Sequence, residues 1–146
     1  MPSGKKTTRT IHKIIIHCAD TPSGKDFHAA DIDRWHKERG WRCIGYHFVI
    51  TLDGTVENGR SVDEIGAHCK GHNHDSIGIC LIGSHQFTVQ QWQALQQLVC
   101  ELEANHPTAE VYGHNEFNSH KTCPNFYVPQ WITDPARIEK LHQLEV

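Results

Sequence analysis

His17, His114 and Cys123 are the residues whose types and placement could hold a metal ion. His17 follows three consecutive isoleucines, Ile14, Ile15 and Ile16, and His114 follows the short stretch Glu110 to Gly113. A ring that titrates near pH 6.5, set directly after a β-branched apolar run, sits where a buried strand ends. Cys123 lies nine residues after His114, in His-Lys-Thr-Cys-Pro. Two imidazoles and a thiolate suit Zn²⁺, and three protein ligands leave a fourth position for water, the catalytic rather than the structural arrangement. The spacing is that of neither a zinc finger nor a HExxH helix. Taken alone it leaves a second reading open, in which the histidines are hydrogen-bonded at strand ends and the cysteine is a small buried side chain. With 13 histidines in 146 residues, any single His near a Cys is weak evidence.

The elements that must carry these residues follow from periodicity. Ile11 to Cys18 reads as a strand buried on both faces, broken by Thr21-Pro-Ser-Gly24. Ala30 to Arg39 reads as a helix with Ile32, Trp35 and Arg39 on one face, closed by Gly40. Tyr46 to Thr51 and Thr55 to Glu57 form a hairpin around Asp53-Gly54. Ser76 to Ile82 is another buried strand, and Thr88 to Asn105 is the clearest helix, with Trp92, Leu95, Val99 and Leu102 at spacings of three and four. Glu110 to Gly113 is a short strand, and Asp134-Pro135 opens a last helix with Ile138, Leu141 and Glu145 on its face. This order predicts an α/β fold, a single domain with a central mixed β-sheet flanked by helices, whose site lies at the C-terminal ends of the strands.

Composition narrows the function. Hydrophobic residues are 38% and charged residues 21% of the chain, an ordinary globular balance. A formal net charge of −3 gives no general grip on nucleic acid. Lys5, Lys6 and Arg9 read as a solvated polar tail spanning residues 1–10, ahead of a domain from 11 to 146. No apolar run approaches the ~20 residues of a membrane span, and the polar start lacks the apolar stretch of a secretory signal. The expectation is a protein kept in the cytoplasm until release. Six cysteines without a CxxC read mainly as reduced thiols, with a Cys43–Cys69 bridge left open. His12, His28, His36, His85, His106 and His142 read as surface residues, and His47 as partly buried.

The stretches IIIHCADTPSG, IDRWHKERGW, IGYHFVITLDGTVENGR, GAHCKGHNHDSIGICLIG and GHNEFNSHKTCP resemble, in order, the type 2 N-acetylmuramoyl-L-alanine amidases. That family includes phage lysis enzymes, bacterial amidases and animal peptidoglycan recognition proteins, and the phage endolysin type is the branch most resembled. The resemblance implies the corresponding fold and the zinc-dependent hydrolysis of the bond between N-acetylmuramic acid and L-alanine in bacterial peptidoglycan. By position it implies His17, His114 and Cys123 as zinc ligands, where many members carry Asp in place of the Cys. Tyr46 and Lys121 would be catalytic, and His68 and Asn73 would belong to the glycopeptide groove. The segment between His114 and Cys123 is one residue longer than the family pattern, which makes His120 the alternative cation to Lys121. A non-catalytic peptidoglycan-binding module is the alternative function, and a protein that regulates an intracellular partner is a third.

Overall fold

The structure, a computed structural model, describes residues 7–144. Lys5, Lys6 and Glu145 therefore lie outside the described residues. Five strands form one sheet: β1 (Lys13–Cys18), β2 (Phe48–Ile50), β3 (Val56–Asn58), β4 (Ser76–Leu81) and β5 (Glu110–Gly113), in the order β3-β2-β4-β1-β5. β1 pairs in parallel with β4 and β5, β2 pairs in parallel with β4, and only β3 runs antiparallel to its neighbour. The sheet is mixed and carries helices on both faces: α1 (Ala29–Glu38) on one, and α2 (Val89–Asn105), α3 (Val128–Thr133) and α4 (Pro135–Leu141) on the other.

Alternation along the strands assigns the faces. Ile14, Ile16 and Cys18 of β1, with Ile77, Ile79 and Leu81 of β4, join Trp92, Leu95, Val99 and Leu102 of α2 in the larger core. The intervening positions turn toward α1, where Val49, Cys80 and Ile82 meet Ile32 and Ile44. In the β1–β4 register Ile15 lies opposite Gly78 and His17 opposite Cys80, so the period of two sends His17 to the α1 face. Because β1 is flanked on both sides, its backbone groups are consumed by the sheet, as a central strand requires.

Two local devices set the strand ends. Thr88 and Gln91 form a reciprocal cap on α2, with Thr88 Oγ1 accepting from Gln91 N at 3.0 Å and Gln91 Oε1 accepting from Thr88 N at 2.9 Å. The same Gln91 side chain, fully buried, donates to Ile50 O and Ile82 O and so satisfies carbonyls where β2 and β4 finish. Arg9 departs from the solvated tail expected of it. Its guanidinium donates to Val62 O (2.9 Å), Ser76 O (3.2 Å) and His74 O (3.3 Å), which ties residue 9 to the start of β4.

Other differences from the sequence reading are local. α1 begins one residue early and stops at Glu38, and the return strand β3 starts at Val56 rather than Thr55. α3 has no counterpart among the expected elements. Its two buried residues, Val128 and Trp131, sit three apart within only six residues, too short a stretch to display a period. His36 and His106 are buried, not surface residues. All six cysteines are free, so Cys43 and Cys69 do not pair. No helix of the described residues is long and apolar enough to cross a membrane.

Candidate active site

His17, near the end of β1, is 1% exposed. Its ring lies 4.6 Å from that of His114 and 5.0 Å from that of Tyr46. His114 opens a single 3₁₀ turn immediately after β5, so two neighbouring parallel strands deliver the two imidazoles. Cys123 arrives on the loop that follows. One nitrogen of each histidine and Cys123 Sγ all lie within 4.8 Å of one another. Three atoms so spaced share a point no more than about 2.8 Å from each (the side divided by √3), against metal–ligand bonds of about 2.0–2.3 Å. The donor set and its spread therefore fit a zinc ion.

Hydrogen bonds hold the donors in place. His17 Nε2 is 2.8 Å from His68 Nδ1, and His68 Nε2 is 3.2 Å from Ser76 Oγ. This chain engages Nε2 of His17 and leaves Nδ1 as the nitrogen available to a metal, the usual device for orienting a metal-binding imidazole. The His68 ring lies flat against Gly78, where a Cβ would come within 2.7–2.8 Å of three ring atoms. Only glycine leaves room for it there. On the other side Cys18 N donates to Cys123 Sγ at 3.1 Å. Asn115 spans the loop: its N donates to Cys123 O (2.9 Å), and its Nδ2 to Thr122 O (3.1 Å) and Phe126 O (3.3 Å).

The electrostatics keep the imidazoles neutral. Burial, then the neighbouring His68 and His114, push His17 well below its ordinary value. Burial does the same to His68, with His47 and His114 adding to it. His114 is lowered by burial and by the Lys121 ammonium. Neutral rings are the form that binds a metal. The Cys123 thiol is held protonated by its hydrogen bond with Cys18 and by burial, and a cation at the site would reverse that balance. Tyr46 is raised well above 10 by burial, with the Cys80, Cys123 and Cys18 sulfurs adding to it. Its phenol is therefore a donor at neutral pH and not a base.

Two clefts meet over this cluster, of about 420 Å³ and about 370 Å³. Tyr46, His114, Lys121, His36 and Arg39 line both. Cys18, Asp20, Trp35, His120 and Cys123 belong to the first, and Trp41, His68, Lys70, Asn73 and Asn118 to the second.

The expected site residues thus converge, with distinctions. His68 lines the second cleft, but both its ring nitrogens are engaged. Asn73 also lines it, with Oδ1 already accepting from His68 N (3.0 Å) and Cys69 N (2.9 Å), which leaves only its amide nitrogen for another molecule. Lys121 and His120 are both exposed, and Lys121 alone reaches both clefts. Sequence reasoning missed His36, Trp41, Asn115 and Ser76. His36 follows Ile32 by four positions, so the α1 period could have found it. Its Nδ1 accepts from Gly45 N at 3.0 Å and its ring meets that of Trp41 at a centroid distance of 4.5 Å, tilted by 55°, which positions the segment before Tyr46.

Residues 7–126 match the family model described as N-acetylmuramoyl-L-alanine amidase. The chain belongs to the N-acetylmuramoyl-L-alanine amidase family. It is 39% identical over 134 residues to an endolysin of Escherichia phage T7, covering 86% of this chain and 88% of that protein. Among solved structures it is similar to the endolysin amidase LysCS of Clostridium intestinale, at 29% identity and a TM-score of 0.73, covering 83% of this chain and 77% of that one. Drosophila PGRP-LB matches at 27% identity and a TM-score of 0.75, over 86% of this chain and 82% of that one. The mixed sheet flanked by helices is the fold of this amidase family, and the chain is an N-acetylmuramoyl-L-alanine amidase.

Proposed function

We propose that this amidase is a phage or prophage lysis enzyme that cuts between N-acetylmuramic acid and L-alanine of peptidoglycan with a zinc ion held by His17, His114 and Cys123. The observation that carries this reading is the gathering of those three donors within 4.8 Å of one another beside Tyr46, in a chain of the amidase family. Bound there, zinc supplies Lewis-acid polarisation of a carbonyl and acidification of water toward pKa ~7. The chain's own groups do the rest. His68, itself hydrogen-bonded to Ser76, holds the orientation of the His17 ring. Tyr46, kept protonated by burial, donates to negative charge developing on the scissile carbonyl oxygen. Lys121, exposed on the lip of both clefts, brings a positive charge to the same atom and draws it out when the tetrahedral form appears. The walls of the two clefts position the substrate on either side of the bond to be cut.

Purified sacculi test this reading. Expected are new α-amino groups without new reducing ends, abolished by a zinc chelator and restored by zinc. New reducing ends without amines would make the protein a glycosidase. Retention on sacculi with no release at all would make it a recognition module.

A further inference from the structure

Cys123 has a second thiol beside it that the reaction above leaves unused. Cys18 closes β1, one residue past His17, and the period of two turns its side chain to the other face, into the core shared with α2. Cys123 packs against that same core. Its sulfur sits at the end of the strand, where it reaches His17 on one face and Cys18 on the other. Cys18 N donates to Cys123 Sγ at 3.1 Å, and that sulfur lies 3.7 Å from Cys18 O. It is therefore within about 4.6 Å of Cys18 Cα, one N–Cα bond further on. The two thiols hydrogen-bond to each other, and Asn125 Nδ2 donates to Cys18 Sγ at 3.6 Å. Cα atoms bridged by a disulfide sit ~4.4–6.8 Å apart. With one sulfur already so near the other residue, closing a bridge asks only for a turn of the two side chains and a small shift of the Cys123 loop. Both residues line the first cleft, which gives a small oxidant a way in. Cys80, a third sulfur close by, is fully buried on the α1 face of the sheet, opposite to Cys18.

We propose that Cys18 and Cys123 are a redox-active dithiol, which hydrogen peroxide closes to a disulfide and a dithiol reductant reopens. Cys123, the less buried of the two, attacks the peroxide O–O bond. It becomes a sulfenic acid, and its proton leaves with the displaced hydroxide as water. The Cys18 sulfur then attacks the Cys123 sulfur, and the hydroxyl departs with the Cys18 proton as a second water. The two thiols lose two electrons and two protons, and the peroxide takes both. Reopening is thiol–disulfide exchange, in which the reductant ends as its own disulfide. A closed bridge withdraws the third donor of the His17–His114–Cys123 set and leaves two imidazoles, so the enzyme is off until reduced. The bridge itself does not depend on the zinc reading; its effect on the metal rests on that reading.

The test treats the full chain, stripped of metal, with hydrogen peroxide. Free thiols are counted, bridged peptides are mapped by mass spectrometry without reduction, and zinc affinity is measured by competition with a chromogenic chelator. Expected are two fewer than the six free thiols, a cross-linked peptide pair containing Cys18 and Cys123, and zinc affinity lower by more than about 100-fold, beyond the loss of a supporting contact. Dithiothreitol restores all three. Cys18→Ser binds zinc before oxidation but forms no bridge at Cys123. In excess peroxide its Cys123 passes on to sulfinic acid, which dithiothreitol does not reverse. Cys80→Ser keeps the bridge. Six thiols remaining after peroxide, a Cys80–Cys123 pair, or cross-links only between Cys43 or Cys100 of separate chains overturns the proposal, and the wild-type map decides this even if Cys18→Ser fails to fold. If the Cys18–Cys123 bridge forms and zinc affinity is unchanged, Cys123 is not a ligand, and the zinc reading fails while the dithiol stands.

Discussion

The two sides of the candidate metal site are built differently. His17 stands on β1, hydrogen-bonded to strands on both sides, with its ring backed by His68, Ser76 and the gap at Gly78. Cys123 and Lys121 stand on a loop held by the Asn115 bonds and by local turns, with Lys121 N on Asn118 O and His120 N on Asn118 Oδ1. The strand side contributes a donor whose position the sheet determines. The loop side places a thiol and the exposed charge of Lys121 two residues apart in the chain, with His120 lining the first cleft beside them. Rigid elements position a donor more tightly than loops do, and loops adapt chemistry more readily.

The largest effect that tests this contrast is removal of the loop donor. Cys123→Ala should fold, since its neighbours in the core are apolar, but lose bound zinc and all amine release. Metal content by mass spectrometry, read beside activity, checks it. Full zinc occupancy in Cys123→Ala would overturn the ligand assignment and direct attention to His120.

Next in size are the groups expected to act on the substrate without touching the metal. Tyr46→Phe and Lys121→Ala should retain zinc and lower kcat by ~10²–10³, the usual cost of one oxyanion donor, with little change in KM. The loop side adds a specific comparison. A near-normal Lys121→Ala together with a zinc-replete, crippled His120→Ala would move the cationic role by one position.

On the strand side the expected losses are smaller and fall on affinity. His68→Ala removes the hydrogen-bond partner of His17 Nε2, and such supporting residues typically contribute 10–100-fold in metal affinity. Gly78→Ala should reproduce part of that loss by displacing the His68 ring. Competition with a chromogenic chelator measures both. Wild-type affinity in the two variants would mean that the sheet alone orients His17.

Legibility in the sequence follows the same division. The β1 strand and its terminal histidine were readable because three β-branched residues in a row have few alternatives, and the α2 helix because its apolar period runs for 17 residues. On the loop side, spacing alone left the metal reading open at Cys123, and the family resemblance supplied it. His36 and Arg9 depart from their sequence reading for one reason. A polar side chain that spends its hydrogen bonds on backbone atoms far along the chain has no local signature. The role of His68 was hidden likewise, because its partners, His17 and Ser76, are brought together only by the pairing of β1 with β4.

The smallest expected effect concerns stability against acid, and it lies on the strand side. His47 is 1% exposed, with Nδ1 accepting from Gly78 N at 3.0 Å and Nε2 2.8 Å from Glu64 O, to which it donates. Burial, opposed by the Glu64 carbonyl and reinforced by Arg9, lowers its pKa from 6.5 to about 4. The ring is neutral in the fold and gains a proton in the unfolded chain first. Between pH 6.5 and about 4 the unfolded state therefore binds more protons, and stability falls as pH falls. The full shift corresponds to about 3 kcal/mol at most, and the burial of His17 and His68 acts with the same sign. Urea unfolding of the metal-free protein at pH 7 and pH 4.5 isolates the contribution when wild type is set against His47→Gln. The variant should be less stable at pH 7, through loss of the fitted ring, and should lose less on acidification, by about 1–3 kcal/mol. Equal losses in both proteins would remove His47 as a source and leave the acid sensitivity to the imidazoles around the metal cluster.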